Sequence, residues 1–294
     1  MANFLELFTS GIMVGALYTL LGVAVVLVYK ATRVVSLAHG QILAFGAVFL
    51  WFLLAAWHFP LWLALLVTAL LAVVLGFLVE RLTLRPLIGQ PLASAFIMTL
   101  AVYYALDGIL QLWLKGATQA YPPFFPTTPV RVGPLAISQV QIWSFATAFV
   151  LVAGLAVFFR RTRMGLAMRV TAEDHTVAQN LGVNVKAVFS VVWMISAVIA
   201  AGSGILLGVI LDVNFQLALV AFKGLVVALF GGLESLPGAI VAGLLLGLFE
   251  SLSAGYLDPL VGGGSREVAA FIMLLFILLV RPYGLFGLQR IERL

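Results

Sequence analysis

The chain has 294 residues, of which 64% are hydrophobic and 9% charged, where an average soluble domain carries roughly 25% charge. Water would meet large apolar patches on any soluble fold of this chain, and a disordered chain needs the opposite composition. The absence of cysteine excludes disulfides, thiol catalysis and cysteine-ligated zinc or iron–sulfur centres. A polytopic membrane protein remains. The net charge of +5 then reads as basic loops obeying the positive-inside rule, and no nucleic-acid partner is expected.

About 20 apolar residues make a helical span. On that ruler the spans fall near 9–29, 36–57, 60–80, 94–114, 141–159, 187–211, 236–254 and 267–281. The segment 217–232 is apolar but short and holds Lys223. It reads as a ninth span, a tilted half-helix or a re-entrant piece. The expected fold is an all-α transmembrane bundle of eight or nine spans, one domain over 1–294. The first span lacks a basic n-region and a small-residue cleavage site, so it reads as retained rather than as a cleaved leader.

The first span carries Gly11 and Gly15 at GxxxG spacing. Gly204 with Gly208, and Gly243 with Gly247, repeat it. Lipid does not drive apolar helices together, so such small faces predict close helix packing. Gly22, Gly46, Gly76 and Gly202 extend them. His39 opens the second span and has no spaced partner, as do His58 and His175, so no metal site is expected. Glu80 and Arg81 read as a solvated helix end. Asp107, the deepest acid, is a candidate pore or intramembrane polar residue. Lys223 and His39 are others, with a structural role favoured over ion coupling for Lys223, and Glu250 is expected to reach water. No GxxxxGK[ST] or GxSxG motif occurs, so no cofactor or catalytic residue is expected in this chain, and any ATP must be bound elsewhere.

Twelve of the 16 basic residues lie at 30–33, 81–85, 160–186 and in the tail, which places these segments in the cytoplasm and the N-terminus outside. That parity needs an odd number of crossings. The loop 115–140 faces outward, stiffened by Pro122, Pro123, Pro126, Pro129 and Pro134. The cytoplasmic loop 160–186 holds Thr171 and Asp174 at capping-box spacing, Glu173 beside them, and Val177, Ala178 and Leu181 as an apolar stripe. Gly182 supplies a stop. The pattern predicts a short amphipathic helix near 172–181, lying on the membrane or facing a cytoplasmic partner.

Four stretches then carry a family resemblance. Val35-Ser36-Leu37-Ala38-His39-Gly40 resembles a VNFAHG signature, with Ser36 in place of Asn. Gly165, Ala167, Arg169, Ala172, Asp174, Ala178 and Gly182 follow a second pattern, with Val170 where Ala is common. Residues Gly231 to Ala239 are similar to GGLGSIPGA, with Glu234 in place of Gly. Arg281-Pro282-Tyr283-Gly284-Leu285-Phe286-Gly287 resembles RPxGLFG. Over its whole length the chain resembles the shorter of the paired permeases of bacterial branched-chain amino acid ABC importers. The resemblance implies a multi-pass subunit of the bacterial inner membrane that is not itself an enzyme. It implies a second permease or self-pairing, two cytoplasmic ATPase subunits and a periplasmic binding protein. It also implies a coupling helix that includes Thr171, Glu173, Asp174, Ala178 and Gly182. A urea or short-amide importer of the same build is the alternative substrate class. An ion-coupled secondary transporter or a channel is the alternative of a different class.

Overall fold

The computed structural model describes residues 2–87, 90–126, 128–132, 135–173 and 175–287. Twelve α-helices follow in chain order: α1 Ala2–Thr32, α2 His39–Trp51, α3 Leu61–Val79, α4 Leu92–Leu114, α5 Gln139–Arg161, α6 Arg163–Glu173, α7 His175–Asn180, α8 Val185–Leu211, α9 Leu217–Gly231, α10 Leu236–Tyr256, α11 Asp258–Val261 and α12 Ser265–Val280. Among the described residues, seven helical stretches, containing α1, α2, α3, α4, α5, α8 and α10, are long and apolar enough to cross a bilayer. Segment 217–232 appears as α9, with 15 residues, and 267–281 as α12, with 16. A two-stranded antiparallel hairpin, β1 Val130–Val132 and β2 Leu135–Ile137, interrupts the outer loop. That loop is otherwise non-helical, as its prolines require.

The chain divides into two compact units, with boundaries inside α1, α5 and α9. Unit 1 comprises 1–26, 125–148 and 223–294, and unit 2 comprises 27–124 and 149–222. In unit 2, α2 and α3 pack on α8. Helix α2 is buried around nearly its whole circumference, and its sequence is apolar all round, as a central helix requires. Its Gly46 faces Ala201 of α8, and Gly204 of α8 lies against the Leu43 carbonyl. Helices α3 and α4 present Leu65, Leu66, Leu70, Ile97 and Leu112 outward, the pattern of surfaces that face lipid.

In unit 1, the two GxxxG pairs of α1 and α10 meet each other. A Cβ on Gly15 would lie 2.8 Å from the Gly243 carbonyl oxygen, and a Cβ on Gly247 would run into Gly15 itself. The spacing thus works as packing, and it places Thr19 of α1 against Ile240 of α10, with Oγ1 donating to its carbonyl at 3.2 Å. Gly208, in unit 2, instead accommodates the ring of Tyr121 from the outer loop.

Two helices end in π-helical turns, Phe52–Ala56 after α2 and Glu80–Leu84 after α3. The second matters for the polar chemistry. A π turn brings residues i and i+5 into register, here Glu80 and Arg85.

Candidate functional site

Glu80 is 1% exposed, not solvated as its place near a helix end suggested. Arg85 Nε donates to its Oε1 at 3.0 Å, and Ser190 Oγ of α8 donates to Oε2 at 2.7 Å. Arg85 Nη2 returns to Ser190 Oγ at 2.7 Å and to the Lys186 carbonyl at 3.2 Å. The carboxylate therefore has an opposite charge and a hydroxyl donor, which a buried carboxylate requires. The pair lies beside a cavity of about 300 Å³, also lined by Arg33, Phe189 and Trp193. Arg33 follows α1 at φ 60°, and its Nη2 donates to the Ala172 carbonyl of α6 at 3.0 Å. That bond ties the end of α1 to the helices of the basic loop.

In unit 1, Glu250 is likewise 1% exposed and does not reach water. Lys223 Nζ sits 2.9 Å from each of its carboxylate oxygens, and Tyr18 Oη donates to Oε2 at 2.7 Å. The charge of Lys223 is thus matched inside the protein. Nothing in the sequence marks the partner, because 27 residues and a turn separate the two.

Asp107 and His39 lie in unit 2. His39 is buried, its Nε2 is 2.5 Å from Ser196 Oγ, and its ring lies 5.0 Å from the Trp193 ring. It is held by a hydroxyl and an indole, and among the described residues no group of three or more His, Asp or Glu could hold a metal. Asp107 receives two amides, Gln41 Nε2 on Oδ1 at 2.9 Å and Gln111 Nε2 on Oδ2 at 2.5 Å. Gln111 is one turn on, and the sequence could have offered it; Gln41 comes from buried α2 and could not be read from spacing. Asp107 lines a cleft of about 340 Å³ with Leu100, Tyr103, Leu219 and Phe222.

The basic loop differs from its expected form. Instead of one helix near 172–181, it forms α6 and α7. Thr171 is not an N-cap: it lies inside α6, fully buried, and its hydroxyl has no partner among the described residues. The cap belongs to Thr162, whose Oγ1 accepts from the Gly165 amide at 2.9 Å. Glu173 is exposed at the last position of α6, not in a first turn. Asp174 lies outside the described residues. The stop holds as read. Gly182 has φ 80°, and the Val183 amide bonds the Ala178 carbonyl at 2.9 Å while the Gly182 amide bonds that of Gln179 at 2.9 Å. This is a Schellman closure, and its left-handed residue is the reason for glycine. Of the apolar stripe, only Ala178 is buried, against Val185 and Phe189 of α8. Val177 is 51% exposed and Leu181 69%.

Two of the four sequence signatures meet in unit 1. The amides of Leu285 and Phe286 bond the carbonyls of Phe230 and Gly231 at 2.9 and 3.0 Å. Ser235 caps α10 by accepting from the Gly238 amide at 3.0 Å. In unit 2, Tyr121 Oη donates to the Ala47 carbonyl at 2.8 Å, and burial pushes its phenol pKa well above the ordinary value. The proline-rich loop is therefore anchored in unit 2 by this ring. Gln119 and Val213 also bridge within that unit.

These features define a multi-pass helical membrane protein with paired buried charges and polar clefts among apolar helices. The sequence profile of the family described as branched-chain amino acid transport system / permease component matches residues 7–281, and the chain belongs to that family. It is a transport component rather than an enzyme. It is 29% identical to the high-affinity branched-chain amino acid transport system permease protein BraD of Pseudomonas aeruginosa, covering 99% of this chain and 98% of that one. It is 30% identical to the corresponding permease LivH of Escherichia coli K12, covering 99% and 97%. Among solved structures, PsaBC from Streptococcus pneumoniae in complex with Fab shares the fold, with a TM-score of 0.52 and 12% identity over 96% of this chain and 93% of that one.

Proposed function

We propose that the chain is a permease subunit of an ATP-driven importer that passes branched-chain amino acids across the bacterial inner membrane. Its partners in this reading are a second permease or a second copy of itself, two cytoplasmic ATPase subunits and a periplasmic binding protein. It binds no cofactor, and the two units act as one translocation domain. The observation that carries the reading is the end-to-end match to a permease family and to relatives named for branched-chain amino acids.

The α6–α7 pair supports a coupling role. Ala178 seats it on the start of α8, and Arg33 ties it to the end of α1. Leu166, Val177 and Leu181 remain exposed on it, apolar side chains at the basic side where an ATPase would dock. Motion of a docked ATPase would then reach α1 and α8 together. Glu173 and Gly182 belong to this unit through their positions at the end of α6 and in the closure after α7. An ion-coupled transporter working alone is the poorer reading, because the acid and base most deeply placed in unit 1, Glu250 and Lys223, neutralise one another.

The test is a reconstituted complex carrying Val177→Asp with Leu181→Asp. Uptake of leucine should fall about tenfold, the loss expected when charges enter an apolar interface, while ATP hydrolysis in detergent persists. Wild-type uptake by the double variant would reject the coupling role.

A further inference from the structure

Glu80, Asp107 and Glu250 are carboxylates on apolar helices that accept side-chain hydrogen bonds from another helix. Two have a cation at hydrogen-bonding distance, Arg85 for Glu80 and Lys223 for Glu250. Asp107 has none among the described residues. Its donors are two neutral amides, one from Gln41, itself fully buried. Gln41 fixes the carboxylate from the protein side, and Gln111 braces it from the next turn of α4.

Asp107, which has no cation at hydrogen-bonding distance among the described residues, opens on a cleft. The cleft's volume of about 340 Å³ lies in the range of small-ligand sites. Its walls are Leu100, Leu219 and Phe222, with the phenols of Tyr103 and Tyr104 as neutral donors. Asp107 is half-buried within an apolar span, where a carboxylate is costly unless a positive charge meets it. The walls accept an aliphatic body, and the acid accepts a cation.

We propose that this cleft is a transit subsite for a small aliphatic ammonium compound. In it, Asp107 takes the ammonium group of the substrate and the walls formed by α4 and α9 take its side chain. The inference rests on the permease reading and sharpens it: the cargo carries a positive amine, which disfavours urea and neutral amides as substrates. Gln41 is a positioning residue, because it touches the acid and not the cleft. The subsite is weak by construction. One acid, two phenols and an amide hold the ligand's head, and a conduit must release what it binds.

The test uses the complete importer in liposomes, with its binding protein outside and ATP inside, and reads leucine moved per ATP hydrolysed. Asp107→Asn should lower that ratio about tenfold, the worth of a lost charge-assisted hydrogen bond, and Asp107→Glu should restore most of it. An unchanged ratio in Asp107→Asn overturns the subsite, and so does a parallel fall of hydrolysis and uptake, which would mark a structural acid. Should Asp107→Asn fail to assemble, Leu219→Trp decides. It narrows the cleft from the opposite wall and should depress uptake of leucine more than of alanine, and equal effects on both overturn the proposal. Wild-type liposomes that import urea but no aliphatic amino acid would overturn the substrate reading itself, a failure visible before any variant is compared.

Discussion

Lys223 and Glu250 are 27 residues apart in sequence and 2.9 Å apart in space, with Tyr18 closing the group. Such a pair adds little net stability over an apolar alternative, but removing one member leaves a charge stranded. Lys223→Met should therefore lower stability by about 3–5 kcal/mol, seen as a fall in the melting temperature of the detergent-purified protein. Lys223→Met combined with Glu250→Leu should recover much of the loss, since nothing charged is then left behind. A single variant as stable as wild type would show the pair to be incidental. At this scale the sequence offers residue types but not neighbours. Lys223 stands out in an apolar run, yet its partner is set by the crossing of helices, and the same holds for Gln41 with Asp107. Glu80 and Arg85 were legible in principle, but only to a reader who allows a π turn, because on an α-helix residues five apart diverge.

Helix positions were plain from the 20-residue ruler, because apolar length is what a membrane span requires. Their ends were less plain. In the basic loop the sequence points to Thr171, with Asp174 at capping-box spacing, whereas Thr162 has Gly165 at that place and carries no such signal. Packing decides otherwise: Met168 and Ala172 are buried, so the helix that buries them must begin at Arg163. Helix crossings show a similar split, since the GxxxG spacing identifies small faces without saying which faces meet. The meeting of Gly11 and Gly15 with Gly243 and Gly247 makes a sharp prediction. Gly247→Val would force side-chain atoms into the backbone of Gly15 and should cost about 1–3 kcal/mol or more, as overpacking does. In contrast, a methyl group added at Gly154 of α5 would meet nothing within 4 Å, so Gly154→Ala should gain up to about 1 kcal/mol from helix propensity. Melting temperatures moving in opposite directions would bear this out. Equal losses would mean that glycine is needed for flexibility rather than for contact.

At the scale of the whole molecule, the open question is how α9 and α12 lie. Their 15 and 16 residues reach only about 22–24 Å as straight helices, short of the roughly 30 Å of a hydrocarbon core. The charge pattern asks for both to cross or for neither. If the N-terminus is outside and the loops at 30–33, 81–85 and 160–186 are inside, the tail's Arg281, Arg290 and Arg293 join them when α9 and α12 both cross or when neither does. The chain has no cysteine, so single cysteines report cleanly on sidedness. Gln179→Cys should react with a membrane-impermeant maleimide only from the cytoplasmic face, and Thr118→Cys only from the outer face. Leu260→Cys, highly exposed between α10 and α12, then decides. Labelled from the outer face, it means that α9 crosses and the tail returns to the basic side. Labelled from the cytoplasmic face, it makes α9 a re-entrant segment, and the tail then keeps to the basic side only if α12 does not cross either. A short crossing helix with a charged lysine at its middle is tolerable because Lys223 is answered by Glu250 within unit 1, so the ion pair and the expected crossing support each other. The outer-face result is therefore the one expected.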